Sequence, residues 1–287
     1  MSAPRRPLWR RLAGYVRRGM VRLSTPIDRL LRSDRSHDLP PAHLRIYYYR
    51  SWDPDVFARA CEGARFELTS RGLRPQHRVL DIGSGIGNLA LALVRVHDGG
   101  YDGVEVHGEA VAWCQGAITS RYPTFRFHHV DLASRAYNPG GRAPASTYGF
   151  PFPDASFDYV LLGSVFTHML PADVEQYVRE IGRLLAPGGI CVSSWFLLND
   201  DTRSAVDAGR SFIAFDVPHG SGVCRLHDAA VPEAAVAYEE AFVRLIHARA
   251  GLHIGDVRRG GWWKGERHDQ DVLTIVTREK VANSAGV

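Results

Sequence analysis

Val79-Leu80-Asp81-Ile82-Gly83-Ser84-Gly85-Ile86-Gly87-Asn88-Leu89 decides the fold. A short apolar run ends in a carboxylate, three glycines follow at alternate positions, and an amphipathic stretch begins at once. The pattern reads as a buried β-strand, a tight turn and a helix N-terminus. Glycine lets the backbone approach a ligand closely because no Cβ stands in the way. The first turn of a helix presents free N–H groups at the positive end of its dipole, which suits a carboxylate or a phosphate. This loop is therefore read as the cradle of a nucleotide-like cofactor.

The glycine spacing narrows the ligand. A dinucleotide-binding turn has the pattern G-x-G-x-x-G, its third glycine packing helix against strand. Here Asn88 takes that third place and Gly87 comes one residue early. No Gly-Lys-Ser or Gly-Lys-Thr follows either, so the phosphate loop of the Walker type is absent.

Size and composition bound the rest. The chain has 287 residues, 45% of them hydrophobic and 23% charged, which suits one α/β domain with additions, or at most two domains. Cys61, Cys114, Cys191 and Cys224 form no C-x-x-C pair, so neither a metal site nor a disulfide framework is expected, and a reducing cytoplasm is. No apolar run approaches the ~18 residues of a membrane span. Trp9 to Leu23 is broken repeatedly by arginine, so no signal-peptide core is expected. Residues 1–35 hold ten arginines against Asp28 and Asp34, a local charge of +8; with the whole chain at +4, the remainder is −4. The basic character thus belongs to an N-terminal arm, taken as residues 1–40. Its Leu8, Leu12, Tyr15 or Val16, and Leu23 recur at roughly helical spacing between the arginines. Such a helix can lie on an anionic membrane surface, and residues 1–35 are the candidate for peripheral contact; a targeting segment, a solvated tail or a helix packed across the domain are the other readings.

Beyond the arm, strands and helices alternate. Asp53-Pro54 opens a helix over 53–70, an N-cap followed by proline at the first helical position. Strands are expected at 78–82, 101–106, 125–130, 157–162 and 190–197, helices at 88–96, 108–120, 171–185 and 233–249, and closing strands at 252–258 and 271–277. Alternation of this kind means α/β: a Rossmann-like, doubly wound sheet of seven strands, mostly parallel with an antiparallel closing strand, preceded by the helical arm. The domain is set at 41–280, with a short tail at 281–287. Two stretches interrupt the alternation, 133–153 and 198–232. Both follow strands, so both emerge at the carboxyl end of the sheet, where ligands bind. They are expected to wall an acceptor site; the alternative is surface decoration.

Glu105 closes the second strand, 18 residues beyond Gly87. An acidic residue there can accept from two ribose hydroxyls at once; otherwise it is an ordinary strand-end glutamate. Further motifs follow in order: Phe150-Pro151-Phe152-Pro153-Asp154-Ala155-Ser156-Phe157-Asp158-Tyr159-Val160, then Ser164-Val165-Phe166-Thr167-His168-Met169, then Leu184-Leu185-Ala186-Pro187-Gly188-Gly189. Together with the glycine turn they resemble the class I S-adenosylmethionine (SAM) methyltransferases, strongly over residues 75–200, and in detail the bacterial small-molecule type. The resemblance implies SAM as cofactor. It implies that Asp81 and the amides of Gly83, Ser84, Gly85 and Gly87 hold the methionine end. Val106 or His107 would pack on the adenine, and Asp131, with Leu132 beside it, would accept from the adenine amino group. Ser164 and Val165 would touch the cofactor again from the fourth strand. It brings no substrate with it.

The reaction so implied is an in-line displacement of the sulfonium methyl, for which alignment is the main requirement. The acceptor is expected to be a small molecule, lipid or glycan precursor, methylated at oxygen. A hydroxyl acceptor also needs a base, and His168 is the candidate because it leaves the fourth strand at the crevice; His219, His227 and Asp200 in the second insert are rivals. Tyr47-Tyr48-Tyr49 and Trp262-Trp263 are aromatic clusters that serve either as core or as a lid. An RNA methyltransferase is the alternative suggested by the basic arm, although the acidic body argues against nucleic acid. A SAM-binding protein without catalysis is the other. None of these motifs encodes an oligomeric state.

Overall fold

The computed structural model describes residues 39–266 and 269–277. The arm at 1–35, its proposed membrane contact and the tail at 281–287 lie outside the described residues. No helix among the described residues is long and apolar enough to cross a membrane.

Seven strands form the main sheet: β1 (Val79–Ile82), β2 (Tyr101–Glu105), β3 (Phe125–His129), β4 (Phe157–Leu162), β5 (Leu185–Trp195), β10 (Leu252–Arg258) and β11 (Asp271–Thr277). Their order is β10-β11-β5-β4-β1-β2-β3. The five strands from β3 to β5 run parallel, and β11 lies antiparallel to both β5 and β10. Every residue of β1 and β2 is buried, as expected of parallel strands covered on both faces.

Each face carries its own core. On one side, helices α2 (Pro54–Thr69), α3 (Asn88–Leu93) and α4 (Gly108–Cys114) bring Leu68, Leu89, Leu93 and Val111 onto Val79, Tyr101, Phe125 and Phe127. On the other, α5 (Pro171–Leu184) and α7 (Glu240–Arg249) cover Leu80, Ile82, Val160 and Leu162. α5 buries Val174, Tyr177, Val178, Ile181 and Leu184, the three- and four-residue spacing of one helical face. The start of α2 is as the sequence dictates: Asp53 accepts from the Asp55 N–H at 2.9 Å and proline takes the first turn. α1 (Ala42–Tyr49) precedes α2 and packs Leu44 with Phe57, Cys61, Ile86 and Ala110, at the edge of the glycine turn.

Three expectations need correction. The stretch 198–232 is not irregular. It holds α6 (Asp200–Asp207) and most of a second sheet, β6 (Leu197–Leu198), β7 (Val217–His219), β8 (Cys224–Leu226) and β9 (Val236–Glu239), in the order β6-β9-β8-β7. Its core is Phe196, Leu198, Val206, Phe215, Ala237 and Trp262, so Trp262 is packing and not a lid. The helix expected over 233–249 begins only at Glu240, because Val236 to Tyr238 are needed as the buried central strand β9. The helix over 108–120 is also divided: its second half, Gln115–Thr119, is a π-helix.

Candidate active site

β1 pairs with β2 on one side and β4 on the other. In an open α/β sheet the ligand crevice lies at such a reversal, beyond the carboxyl ends of the strands. The glycine turn fills that place. Gly83, Gly85 and Gly87 have φ of 77°, 54° and 75°, a region that costs any residue with a Cβ. A Cβ on Gly83 would stand 2.5 Å from Val165 Cγ2, one on Gly87 2.7 Å from Ile118 Cδ1, and one on Gly85 3.2 Å from the ring of Tyr48. The turn is thus pressed between the exit of β4, the π-helix and α1.

Glu105 holds the turn in shape. Its buried carboxylate accepts from the Gly85 N–H and from the His107 N–H, each at 2.9 Å. Burial pushes this carboxyl up from its ordinary range, while the amides pull it back. Both oxygens keep lone pairs for further donors. Asp81, at the end of β1, is 4% exposed and accepts from the Tyr101 hydroxyl at 2.7 Å. Burial pushes its carboxyl up to about 7, with the Tyr101 bond opposing and the nearby Glu105 charge reinforcing. Asp131, beyond β3, bonds Arg142 and Asn138 and is held below its ordinary range by them. Leu132 beside it is buried. Val106 is partly buried against the main core. Ser164 takes a left-handed φ of 56°, donates its N–H to Ser194 Oγ at 2.7 Å and turns its hydroxyl to Gln270 at 3.0 Å. Of this pair, Val165 reaches the glycine turn and the Ser164 hydroxyl does not.

His168 ends a 3₁₀ turn that follows β4. Its Nδ1 lies 2.9 Å from the Glu233 carbonyl oxygen. A carbonyl only accepts, so Nδ1 carries the hydrogen and Nε2 is left with a bare lone pair. Burial lowers the imidazole from its ordinary 6.5, so the ring is neutral near pH 7. The rivals sit elsewhere: Asp200 is solvent-facing and paired with Arg203, His219 is exposed on β7, and His227 bonds the Ala214 carbonyl.

A series of rings runs from α1 to His168. Tyr47 stacks on His107 with centroids 4.8 Å apart and planes at 13°. It meets Tyr137 edge-on at 6.4 Å, and Tyr137 meets His168 edge-on at 5.1 Å. Among the described residues seven buried side-chain polar atoms have no hydrogen-bond partner. Four of them, Tyr48 Oη, Ser84 Oγ, His107 Nδ1 and Thr167 Oγ1, belong to α1, the turn, the exit of β2 and the exit of β4. Buried polar atoms are normally satisfied, so this clustering, with a turn no side chain could share, fits a polar ligand such as a nucleoside.

Several of these residues carry no signal in a motif. Tyr101, which holds Asp81, looks like any strand residue. Gly103 does too, although a Cβ there would lie 2.8 Å from the Phe127 ring and 2.9 Å from Ser84 Oγ. Tyr137 could have been found: Tyr137-Asn138-Pro139-Gly140-Gly141 is turn chemistry, and Asn138 ties the turn back to Asp131 and to the Leu132 carbonyl.

Residues 80–193 match the family described as the methyltransferase domain. Sterol 24-C-methyltransferase erg6 of Schizosaccharomyces pombe is 25% identical over 179 residues, which cover 62% of this chain and 43% of that protein. The chain therefore spans less than half the length of that curated relative. Two solved structures share the architecture. Protein PH0226 of Pyrococcus horikoshii OT3 superposes with a TM-score of 0.52 at 17% identity, over 76% of this chain and 90% of that one. The cyclase SpnF superposes with a TM-score of 0.51 at 18% identity, over 79% and 82%. At these identities the likeness is one of fold, and the presence of a cyclase among them separates fold from reaction.

Proposed function

Over residues 80–193 this chain belongs to the class I SAM-dependent methyltransferases, with SAM as its cofactor, and from that premise we propose that it methylates a hydroxyl of a small molecule, lipid or glycan precursor. When bound, SAM supplies a sulfonium methyl open to displacement. The chain's own residues hold and orient. The amides of the glycine turn and Asp81 face the methionine end, Glu105 offers its remaining lone pairs to the ribose, and Asp131 and Leu132 address the adenine. Val165 contacts the turn from the β4 side, and Tyr47 and Tyr48 close over it from α1. The acceptor lies between α1, the 133–153 insert and the second sheet.

The observation that carries the reading is the hydrogen bond from His168 Nδ1 to the Glu233 carbonyl. It leaves Nε2 as a base at the mouth of the crevice, with burial keeping the imidazole unprotonated. Nε2 takes the acceptor's hydroxyl proton as the methyl is transferred. The four buried thiols, all free, support a cytoplasmic enzyme, and the +8 arm supports peripheral contact with an anionic membrane.

The test has two stages. In a thermal-shift panel SAM and its demethylated product should raise the melting temperature while NAD and ATP do not; a ligand at a hundred times its Kd adds about 2.7 kcal/mol. A radiolabelled methyl-transfer screen against host extracts then identifies the product by mass spectrometry. His168→Ala should keep SAM affinity and lose roughly 10²- to 10⁴-fold in turnover, the usual weight of a general base. Undiminished turnover would remove His168 from the mechanism.

A further inference from the structure

We propose that the acceptor carries an anionic group, a carboxylate or a phosphate, and that Arg50 is the residue that takes it. The inference rests on the methyltransferase reading and goes beyond it to the chemistry of the substrate.

Arg50 closes α1 with φ 54° and ψ 26°, donating its N–H to the Ile46 carbonyl. This is the left-handed end of a helix, a place that favours glycine. An arginine there is held against its backbone preference, and such residues concentrate at functional positions. It stands three residues beyond Tyr47, and both side chains are exposed at this end of α1. Tyr47 is the first ring of the series that leads through Tyr137 to His168. The Arg50 charge acts on both of those residues, favouring the ionised phenol of Tyr137 and the neutral ring of His168. Arg50 is therefore within electrostatic reach of the rings on the proposed acceptor side of the crevice.

Its guanidinium makes no hydrogen bond or ion pair among the described residues. That sets it apart from its neighbour Arg45, whose buried guanidinium donates to the Pro40 and Trp52 carbonyls at 2.5–3.1 Å. Most arginines of the main body are engaged in the same way: Arg71, Arg78, Arg126, Arg183, Arg203 and Arg258 each pair with a carboxylate. The carboxylate on the crevice floor, Glu105, is already bonded to two amides. Arg50 thus brings an uncompensated positive charge and a planar fork of donors to the acceptor side. A fork of that shape matches the two oxygens of a carboxylate or phosphate. An anion seated there would hold the far end of the acceptor while its hydroxyl meets His168 Nε2.

The test uses the full chain saturated with S-adenosylhomocysteine. Benzoate and phenyl phosphate are titrated as probes, with benzyl alcohol as the neutral control, and the His168 ring is followed by NMR. Either anion should bind more tightly than benzyl alcohol, and the tighter one names the oxyanion. Occupancy should raise the pKa of His168, because the Arg50 charge is neutralised. Arg50→Gln should weaken the anion ten- to a hundredfold and leave benzyl alcohol unaffected, while Arg50→Lys should recover part of the loss. Anions that bind no better than benzyl alcohol, or that bind Arg50→Gln as well as the wild type, would overturn the proposal. The wild-type titration alone decides it should the variants misfold. If S-adenosylhomocysteine itself fails to bind, it is the methyltransferase reading that falls.

Discussion

Replacing Asp81 by asparagine should make the ligand-free protein more stable above neutral pH and leave it nearly unchanged at acid pH. Asp81 is enclosed at the end of β1 and accepts from the Tyr101 hydroxyl. Burial raises its carboxyl from the ordinary 3.8 to about 7. The folded chain therefore binds this proton more tightly than the unfolded chain between those values. A group of that kind loses its contribution to stability as the pH rises through the window. At about 1.4 kcal/mol per pKa unit, the ionised carboxylate costs at most about 4 kcal/mol once the pH is well above 7. Asparagine keeps an acceptor oxygen for Tyr101 and carries no charge, so it removes most of that cost. In a domain of this size 1 kcal/mol moves the melting temperature by roughly 2–4 °C. Asp81→Asn should thus melt several degrees above the wild type at pH 8.5 and within about a degree of it near pH 4, where both side chains are neutral. The assay is thermal unfolding across that range without cofactor. A melting difference that does not change with pH, or an asparagine variant less stable at pH 8.5, would refute the reasoning. If Asp81 holds the methionine end as proposed, the same variant should also bind SAM more weakly. Stability gained as affinity is lost is the expected signature of a residue kept for its ligand.

His247 titrates in the opposite sense. It is buried, its Nδ1 donates to the Val243 carbonyl at 2.7 Å, its Nε2 has no partner, and its pKa is lowered to about 4. The fold therefore resists a proton that the unfolded chain accepts, and stability should fall as the pH drops from about 6.5 towards 4, by up to about 3 kcal/mol; His247→Leu should flatten that acid limb in pH-dependent urea denaturation. Gly87→Ala and Gly188→Ala should separate strain from collision. Both glycines have φ of 75°, but only at Gly87 does a Cβ meet other atoms, Ile118 Cδ1 at 2.7 Å and Cys114 Sγ at 3.1 Å. Gly188→Ala should lose about 1–2 kcal/mol by denaturant titration and Gly87→Ala about 1–3 kcal/mol more, with a fall in SAM affinity only at Gly87.

The fold was legible wherever local chemistry and burial point the same way. β1, the glycine turn and α3 can be read because apolar run, glycine spacing and helical periodicity each act over a few residues. The parallel, doubly wound character of the sheet follows from the alternation of strands and helices, since right-handed crossovers leave few ways to wind such a chain. The second sheet could not be read in that way. β6 to β9 are two to four residues long, too short to show a period of two against the noise of a loop. β9 was hidden further because Val236-Ala237-Tyr238 runs without a break into the amphipathic helix α7. Only tertiary packing, against Phe196 and Trp195, makes it a strand.

The same distinction divides the site. The residues proposed for the cofactor side come from strand ends, whose positions the sheet fixes; Glu105 could be named from its spacing beyond the glycine turn, Asp81 and Asp131 through the family resemblance. The residues proposed for the acceptor side come from three separate segments: Tyr47 on α1 with Arg50 just beyond its end, Tyr137 in the first insert, and Glu233 before β9. No interval along the chain relates them; they meet only because α1 lies across the glycine turn and the second sheet brings Glu233 under His168. His168 itself was nameable as a strand-end residue, but its usable nitrogen was not, because that depends on a backbone carbonyl 65 residues away. An enzyme arranged in this way can keep its methyl-donor site while exchanging acceptors, because changes confined to α1 or the two inserts leave β1, β2 and their loop untouched. The cyclase SpnF, which shares the architecture at 18% identity, is consistent with that separation: the sheet sets where a ligand lies, and the walls set what is done to it.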